Sequence, residues 1–266
     1  MQQKTIVNYW TELSIEYANQ KSYLDDLFQV YPTIPEGIRE IDTRKWESVV
    51  NAFEKQDNEL LITELLKLKL FLIKDSYVGF LRLDKHAIQR NPATIDRICG
   101  ILYQMGLENL FEKCSEPKET NRQIGPFFKR WLDKKSLGLK PVVLAEFMQN
   151  DANAILNGSD KELLDFAKAN FGYTKPKGLD FIARFNKKYV LGEAKFITSK
   201  GGNQDKSFVD VITTLNTSFE NVVCVGIIDG IPWIKDKSTY FTEISTIYQD
   251  YNIMSALVLR EFLYQL

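Results

Sequence analysis

The sequence predicts a mixed α/β fold, with a sheet flanked by helices in its second half and a helical region ahead of it. Three observations lead there. Between about residues 9 and 106 apolar side chains recur at helical spacing. Two apolar, β-prone runs, Leu179–Phe185 and Tyr189–Ile197, flank the polar Asn186-Lys187-Lys188, which is the pattern of a short hairpin. A helical stretch and a further apolar run, Asn221–Ile228, follow that hairpin, so a crossover helix should return the chain to a parallel strand. The expected division is a helical region over residues 1–114 and a sheet-bearing core over 115–266.

The elements follow in order. Tyr9–Asn19 carries Trp10, Leu13, Ile15 and Tyr17 among polar residues, and Thr43–Phe53 reads as a short amphipathic helix after the Pro32–Pro35 turn. Asn58–Ile73 is apolar on more than one side, through Leu60, Leu61, Leu65, Leu66, Leu68, Leu70 and Leu72, and reads as a buried helix. Asn91-Pro92 sets a cap before a proline at the first helical position; that helix should run to Gly106 with Ile95, Ile98, Leu102 and Met105 inward. Polar residues Ser115–Gln123 suit a hinge, and Phe127–Leu132 a basic, aromatic helix. Pro141–Leu156 and Ser159–Asn170 read as two helices, the second opened by a Ser159-to-Glu162 capping box. Beyond the hairpin come a helix over Gln204–Asn216, a strand over Asn221–Ile228, a tight turn at Asp229-Gly230, and a closing amphipathic helix over Ile253–Leu263.

Composition removes several classes of chemistry. The chain has 266 residues and one histidine, His86, which rules out paired-histidine metal sites and leaves a Ser–His–Asp triad with a polar, helix-like setting and no Gly-x-Ser-x-Gly elbow. No Gly-x-x-x-x-Gly-Lys or Gly-x-Gly-x-x-Gly loop is present. Three well-separated cysteines indicate buried thiols rather than a disulfide framework or zinc cluster. The N-terminus lacks the apolar core of a signal peptide, and Leu60–Ile73 is cut by Glu64, Lys67 and Lys69, so a cytoplasmic protein is expected. Any catalysis must rest on carboxylates and lysine.

The hairpin supplies them. A two-residue loop at Asn186-Lys187, or four residues with the same centre, pairs positions whose numbers add to 373, so Asp180 faces Glu193. Opposed side chains have Cβ atoms about 4.5–5.5 Å apart on one side of the sheet. Lys195 shares that side by the two-residue alternation of strands. Two opposed carboxylates disfavour folding unless something compensates, and a hard divalent cation would. Mg²⁺ is commonly held by one or two carboxylates together with substrate phosphate oxygens. Lys195 would then touch the attacking water or the phosphate, which describes a site for phosphodiester hydrolysis. The competing reading is a hairpin with three charges on a wet face.

Charge distribution bears on the partner. The whole chain carries −1, yet Lys113–Lys206 holds 18 Lys+Arg against 11 Asp+Glu, and the remainder is correspondingly acidic. Phosphate contacts need local positive charge. Arg122, Lys129 and Arg130 are candidates for backbone or base contacts, the alternative being a solvated helix face. Lys200, Gln204 and Lys206, beside the Gly201-Gly202 loop, are candidate phosphate ligands, with plain turn geometry as the alternative.

Asp180 followed by Glu193-Ala194-Lys195 on adjacent strands resembles the PD-(D/E)xK nuclease signature, and its setting is similar to that of type II restriction endonucleases. The resemblance covers about Pro141 to Ile234; Leu179 stands where the name-giving proline would be. It implies a restriction-endonuclease-like core over 115–266, leaving residues 1–114 for DNA recognition or dimerisation. It also implies Mg²⁺ held by Asp180, Glu193 and the Ala194 main-chain carbonyl, with Lys195 positioning or activating water. In that superfamily a helix ahead of the hairpin often lends another acid, for which Glu146 is the choice over the capping Glu162. The partners implied are double-stranded DNA, a second copy in a homodimer, and a companion methyltransferase. A repair or recombination nuclease with the same core, and a non-catalytic DNA-binding protein, are the rival expectations.

Overall fold

A computed structural model describes residues 8–19, 22–32, 37–68, 70–117 and 124–266. In chain order its elements are α1 (Tyr9–Ala18), α2 (Tyr23–Val30), α3 (Thr43–Glu54), α4 (Asn58–Leu66), α5 (Val78–Leu83), α6 (Ala87–Arg90), α7 (Pro92–Ser115), α8 (Ile124–Asp133) and α9 (Leu144–Phe147), then β1 (Ala154–Ile155) and α10 (Asp160–Phe171). They continue with β2 (Phe181–Phe185), β3 (Lys188–Ile197), α11 (Asn203–Leu215), β4 (Val222–Gly230), α12 (Thr239–Thr246), β5 (Ile253–Met254) and α13 (Ala256–Tyr264). Among the described residues no helix is long and apolar enough to cross a membrane.

The chain divides into two compact units, Met1–Ile34 with Thr120–Leu266, and Pro35–Glu119. The first contains a five-stranded sheet in the order β1-β2-β3-β4-β5. Strands β2 and β3 form the hairpin in the expected register, with Phe181 opposite Gly192 and Phe185 opposite Lys188. Asn186 and Lys187 both have positive φ, 49° and 65°, which is the backbone of a two-residue type I′ turn and matches the strand twist. Helix α11 then returns the chain to β4, parallel to β3, so that Glu193 lies beside Gly226 and Phe196 beside Asp229. The mixed α/β fold class is therefore as expected.

Alternation along β2 and β3 feeds two apolar clusters. Phe181, Ala183, Phe185, Val190 and Ala194 pack with Phe127 and Phe128 of α8 and Val258 and Leu259 of α13. Ile182 and Leu191, on the other face, pack with Leu163, Leu164 and Ala167 of α10 and with Phe147. Helix α8 thus buries its aromatic residues against the sheet and turns its cations outward. The capping box that opens α10 forms as expected, with Ser159 and Glu162 bonding each other's backbone.

The second unit is helical. Val49, Leu61, Ile62, Leu65, Ile95, Ile98, Leu102 and Leu110 form its core, which uses the stripe read from α7. Gly106, at φ 76°, leaves helical geometry and ends the first segment of α7 as expected, and a second segment continues beyond it to Ser115.

Several expectations change: the helix expected over Asn58–Ile73 ends at Leu66, and Ile253–Met254 is a strand ahead of the closing helix. The boundary expected at residues 114/115 misses that the N-terminal segment sits in the sheet unit. There Thr11 Oγ1 donates to the Ile253 carbonyl at 2.8 Å, and Tyr23 and Tyr31 donate their hydroxyls to Asp229 at 3.2 and 3.1 Å. Pro141–Leu156 is not a helix. Val142 bridges Leu156, with the Val142 N–H donating to Ile155 O and the Asn157 N–H to Val142 O, both at 2.8 Å, so the ends of that stretch are committed to sheet-like pairing and only α9 coils between them. Asp229-Gly230 does not turn: β4 runs through Gly230, and Ile231–Trp233 follows as a single 3₁₀ turn.

Asp229 is instead a buried anchor. It is fully inaccessible, and its two oxygens accept from Tyr23, Tyr31, the Ser255 hydroxyl and, at 3.1 Å, the Ala256 N–H. Burial pushes its carboxyl up to about 6, against the donors that favour the ionised form.

Candidate active site

The hairpin register brings Asp180, Glu193 and Lys195 together. Asp180 sits one residue ahead of β2, and the Ala194 N–H donates to its Oδ2 at 3.0 Å, which fixes the carboxylate over β3. Lys195 Nζ donates to the same Oδ2 at 2.8 Å and to the Ala194 carbonyl at 3.0 Å, and lies 2.6 Å from Glu193 Oε1. One ammonium therefore touches all three oxygens that the family resemblance assigns to a cation. The cause is the pleat: Glu193 and Lys195 share one face of β3, while the Asp180 side chain reaches the Ala194 backbone between them.

The electrostatics differ from one acid to the other. Glu193 is 1% exposed, and burial followed by the charge of Asp180 raises its carboxyl above the ordinary range, against the lysines that lower it. Its Oε1 lies within 2.8 Å of two ammonium groups, and among the described residues its Oε2 has no hydrogen-bond partner. A buried carboxylate oxygen without a donor is strongly unfavourable unless a cation meets it. The Lys195 ammonium is held well above the usual lysine range, because the attraction of Asp180 and Glu193 outweighs a larger desolvation that acts the other way.

Sequence reasoning missed two members of this cluster. Lys177, three residues before Asp180, places Nζ 2.8 Å from Glu193 Oε1 and also binds Asp210 Oδ2 on α11. The clue was the proximity of Lys177 to Asp180 in Lys-Pro-Lys-Gly-Leu-Asp; nothing in the sequence linked Asp210 to either.

The remaining candidates disperse. Glu146 lies exposed on α9, and among the described residues no group of three or more acidic, histidine or cysteine side chains is placed to hold a metal. Lys129 is tied to the start of α10, donating to Gly158 O at 3.2 Å and Asp160 Oδ1 at 2.7 Å, and it lines a cavity of about 30 Å³ with Asp180 and Phe181. Arg130 is exposed, its guanidinium 4.7 Å from the centre of the Phe127 ring. Gln204 accepts from the Thr198 N–H at 3.3 Å and so closes the β3–α11 connection, while Lys200 and Lys206 are exposed there. Arg122 falls outside the described residues.

The donor set suits a hard cation: two carboxylates, one of them with an unmatched buried oxygen, and a main-chain carbonyl. Compared with known proteins, the chain matches over residues 8–266 a family model described as Tsp45I type II restriction enzyme. No curated protein and no solved structure shows significant similarity to it.

Proposed function

Because the chain belongs to the Tsp45I type II restriction enzyme family, and is thereby a site-specific deoxyribonuclease, we propose that it hydrolyses phosphodiester bonds of double-stranded DNA in a Mg²⁺-dependent reaction centred on Asp180, Glu193 and Lys195. The observation that carries this reading is the convergence of those three side chains across one hairpin, with a buried acid oxygen left unmatched.

Asp180, Glu193 and the Ala194 carbonyl would hold Mg²⁺, which when bound supplies charge stabilisation at the scissile phosphate and acidifies water. The protein's own groups do the rest. Lys195, hydrogen-bonded to Asp180 and to the Ala194 carbonyl, can donate to the attacking water or to the phosphate. Its role is to orient that water and to balance the negative charge that grows on the phosphate oxygens. Asp180, fixed by the Ala194 N–H, keeps its place as Lys195 moves between acid and phosphate. Lys129, lining the same cavity as Asp180, is the best placed of the described cationic candidates to meet the DNA backbone.

Family membership further supports a specific short recognition sequence, a two-fold dimer matching a palindromic site, and a companion methyltransferase as parts of the proposal. Digestion of mapped plasmid DNA with and without Mg²⁺ tests it. Discrete fragments that require the metal are expected; a smear, or a preference for branched substrates, would favour a repair nuclease on the same core.

A further inference from the structure

We propose that Lys177, anchored by Asp210, is a positioning residue of the cleavage site, which holds the buried Glu193 carboxylate so that Lys195 is free to leave it for the substrate. The inference rests on the functional reading above and adds to it a residue pair outside the hairpin signature.

Three observations place Lys177 in this role. First, Glu193 Oε1 lies between two ammonium groups, Lys195 at 2.6 Å and Lys177 at 2.8 Å, while Oε2 has no partner. Both cations gather on one oxygen, which fixes how the carboxylate is turned. Second, the two lysines are held differently. Among the described residues, Lys195 is bound within the site, by Asp180, Glu193 and the Ala194 carbonyl. Lys177 is bound from outside it, by Asp210 on α11, whose neighbour Val211 is fully buried against the sheet. Third, the backbone that carries Lys177 is clamped. A Cβ on Gly178 would lie 2.8 Å from both the Cβ and the carbonyl oxygen of Asp160, so this segment is seated directly on the first turn of α10, and Leu179 is fully buried.

The consequence concerns how Lys195 is released. An ammonium that must reach a phosphate has to give up its contact with Glu193, and a buried carboxylate stripped of its cation is strongly destabilised. With Lys177 retained on Oε1 by Asp210, that carboxylate keeps a counter-charge throughout. Without Lys177, Lys195 is, among the described residues, the remaining protein cation on that buried acid, so it is held there and competes with the Mg²⁺ for the same carboxylate. The loss should therefore appear in the rate of cleavage rather than in DNA affinity.

Lys177→Met, Lys177→Arg, Asp210→Asn and Lys195→Ala variants of the full chain, assayed with plasmid DNA, test this. In Lys177→Met the single-turnover cleavage rate should fall about 10- to 100-fold, as for other groups that orient a metal ligand, with the half-saturating DNA concentration within about threefold of wild type. Lys177→Arg should recover much of the rate, and Asp210→Asn should fall between. A metal-free readout accompanies it. Lys177→Met should lower the unfolding midpoint by roughly 3–6 °C in the wild-type background and by much less alongside Glu193→Gln, where no buried charge needs pairing. Cleavage by Lys177→Met within about twofold of wild type overturns the proposal, as does lost DNA affinity at an unchanged rate, or equal midpoint shifts in both backgrounds. If instead the wild type yields no discrete fragments, or Lys195→Ala cuts like wild type, the functional reading itself fails, and the melting comparison alone still decides whether Lys177 holds Glu193.

Discussion

Glu193 and Lys195 face each other at 2.6 Å on one side of β3, and the acid is the more buried partner, at 1% exposure against 20% for the lysine. Their contact sets a conflict between stability and chemistry. The position proposed to meet a cation and a phosphate is also one where an ionised side chain is strongly disfavoured by burial.

Glu193→Gln should separate the two. Burial and Asp180 raise the Glu193 carboxyl, so folding disfavours its ionised form, and that penalty grows as pH rises from the unfolded value of 4.5 through the higher folded one. The neutral isostere should match the wild type in stability at pH 7.5 or exceed it by about 1 kcal/mol, while cleavage falls by at least about 10³-fold. Denaturant unfolding beside a plasmid assay checks both. A clearly destabilised variant would show that the two lysines more than offset the burial.

Asp180→Asn and Lys195→Ala should each abolish Mg²⁺-dependent cutting, by roughly 10³-fold or more, with circular dichroism and most DNA binding retained. In Asp180→Asn the amide oxygen can still accept from the Ala194 N–H, so the hairpin loses little. Of the two, Lys195→Ala should melt lower, since it leaves the buried Glu193 with Lys177 alone. Undiminished cleavage by either variant rejects the site assignment.

Asp229 should impose a pH dependence on folding. Its carboxyl is raised from 3.8 to about 6, so the folded chain binds a proton that the unfolded chain has released between those values. Stability attributable to this residue is full below about pH 3.8, declines as pH rises through about 6, and is constant above. The total change amounts to at most about 3 kcal/mol. Because an Asn amide does not titrate, the difference in unfolding free energy between wild type and Asp229→Asn should follow that curve; a difference independent of pH from 4 to 7 contradicts it. Asp229→Ala, which strands the hydroxyls of Tyr23, Tyr31 and Ser255, should be the worse variant at every pH.

Gly226 marks where α11 meets the sheet. A Cβ there would lie 2.5 Å from Val211 Cγ1 and 3.1 Å from Leu215 Cδ1, so Gly226→Ala must push the helix outward. A loss of about 1–3 kcal/mol is expected. Because Asp210 precedes Val211, cleavage should fall as well. Thermal melting and single-turnover rates report the two effects. Full activity in a destabilised variant would separate α11 from the chemistry.

Much of the site could be read in the sequence because a hairpin is local. Two positive-φ residues at Asn186-Lys187 and a two-residue alternation are enough to set Asp180 against Glu193 and Lys195, whatever the rest of the chain does. The capping box at Ser159 and the stripe of α7 were legible for the same reason, each depending on residues a few positions apart. Pro141–Leu156 went wrong because its apolar spacing fits a helix, while its ends are claimed by pairing between Val142 and Leu156 and by β1 with the distant β2.

What the sequence alone determined is the chemistry available, two acids and an amine on one turn, and the class of fold around them. Only the tertiary structure decided that Lys177 and Asp210 join Glu193 in one ion-pair cluster, and that Asp229 serves as a buried anchor for the N-terminal helices rather than as a turn. The reason is one of range: strand pairing across a two-residue turn follows from covalent connection and pleat, whereas an ion pair between residues 33 positions apart, or a carboxylate shared by tyrosines about 200 positions away, exists only after helices and sheet have packed.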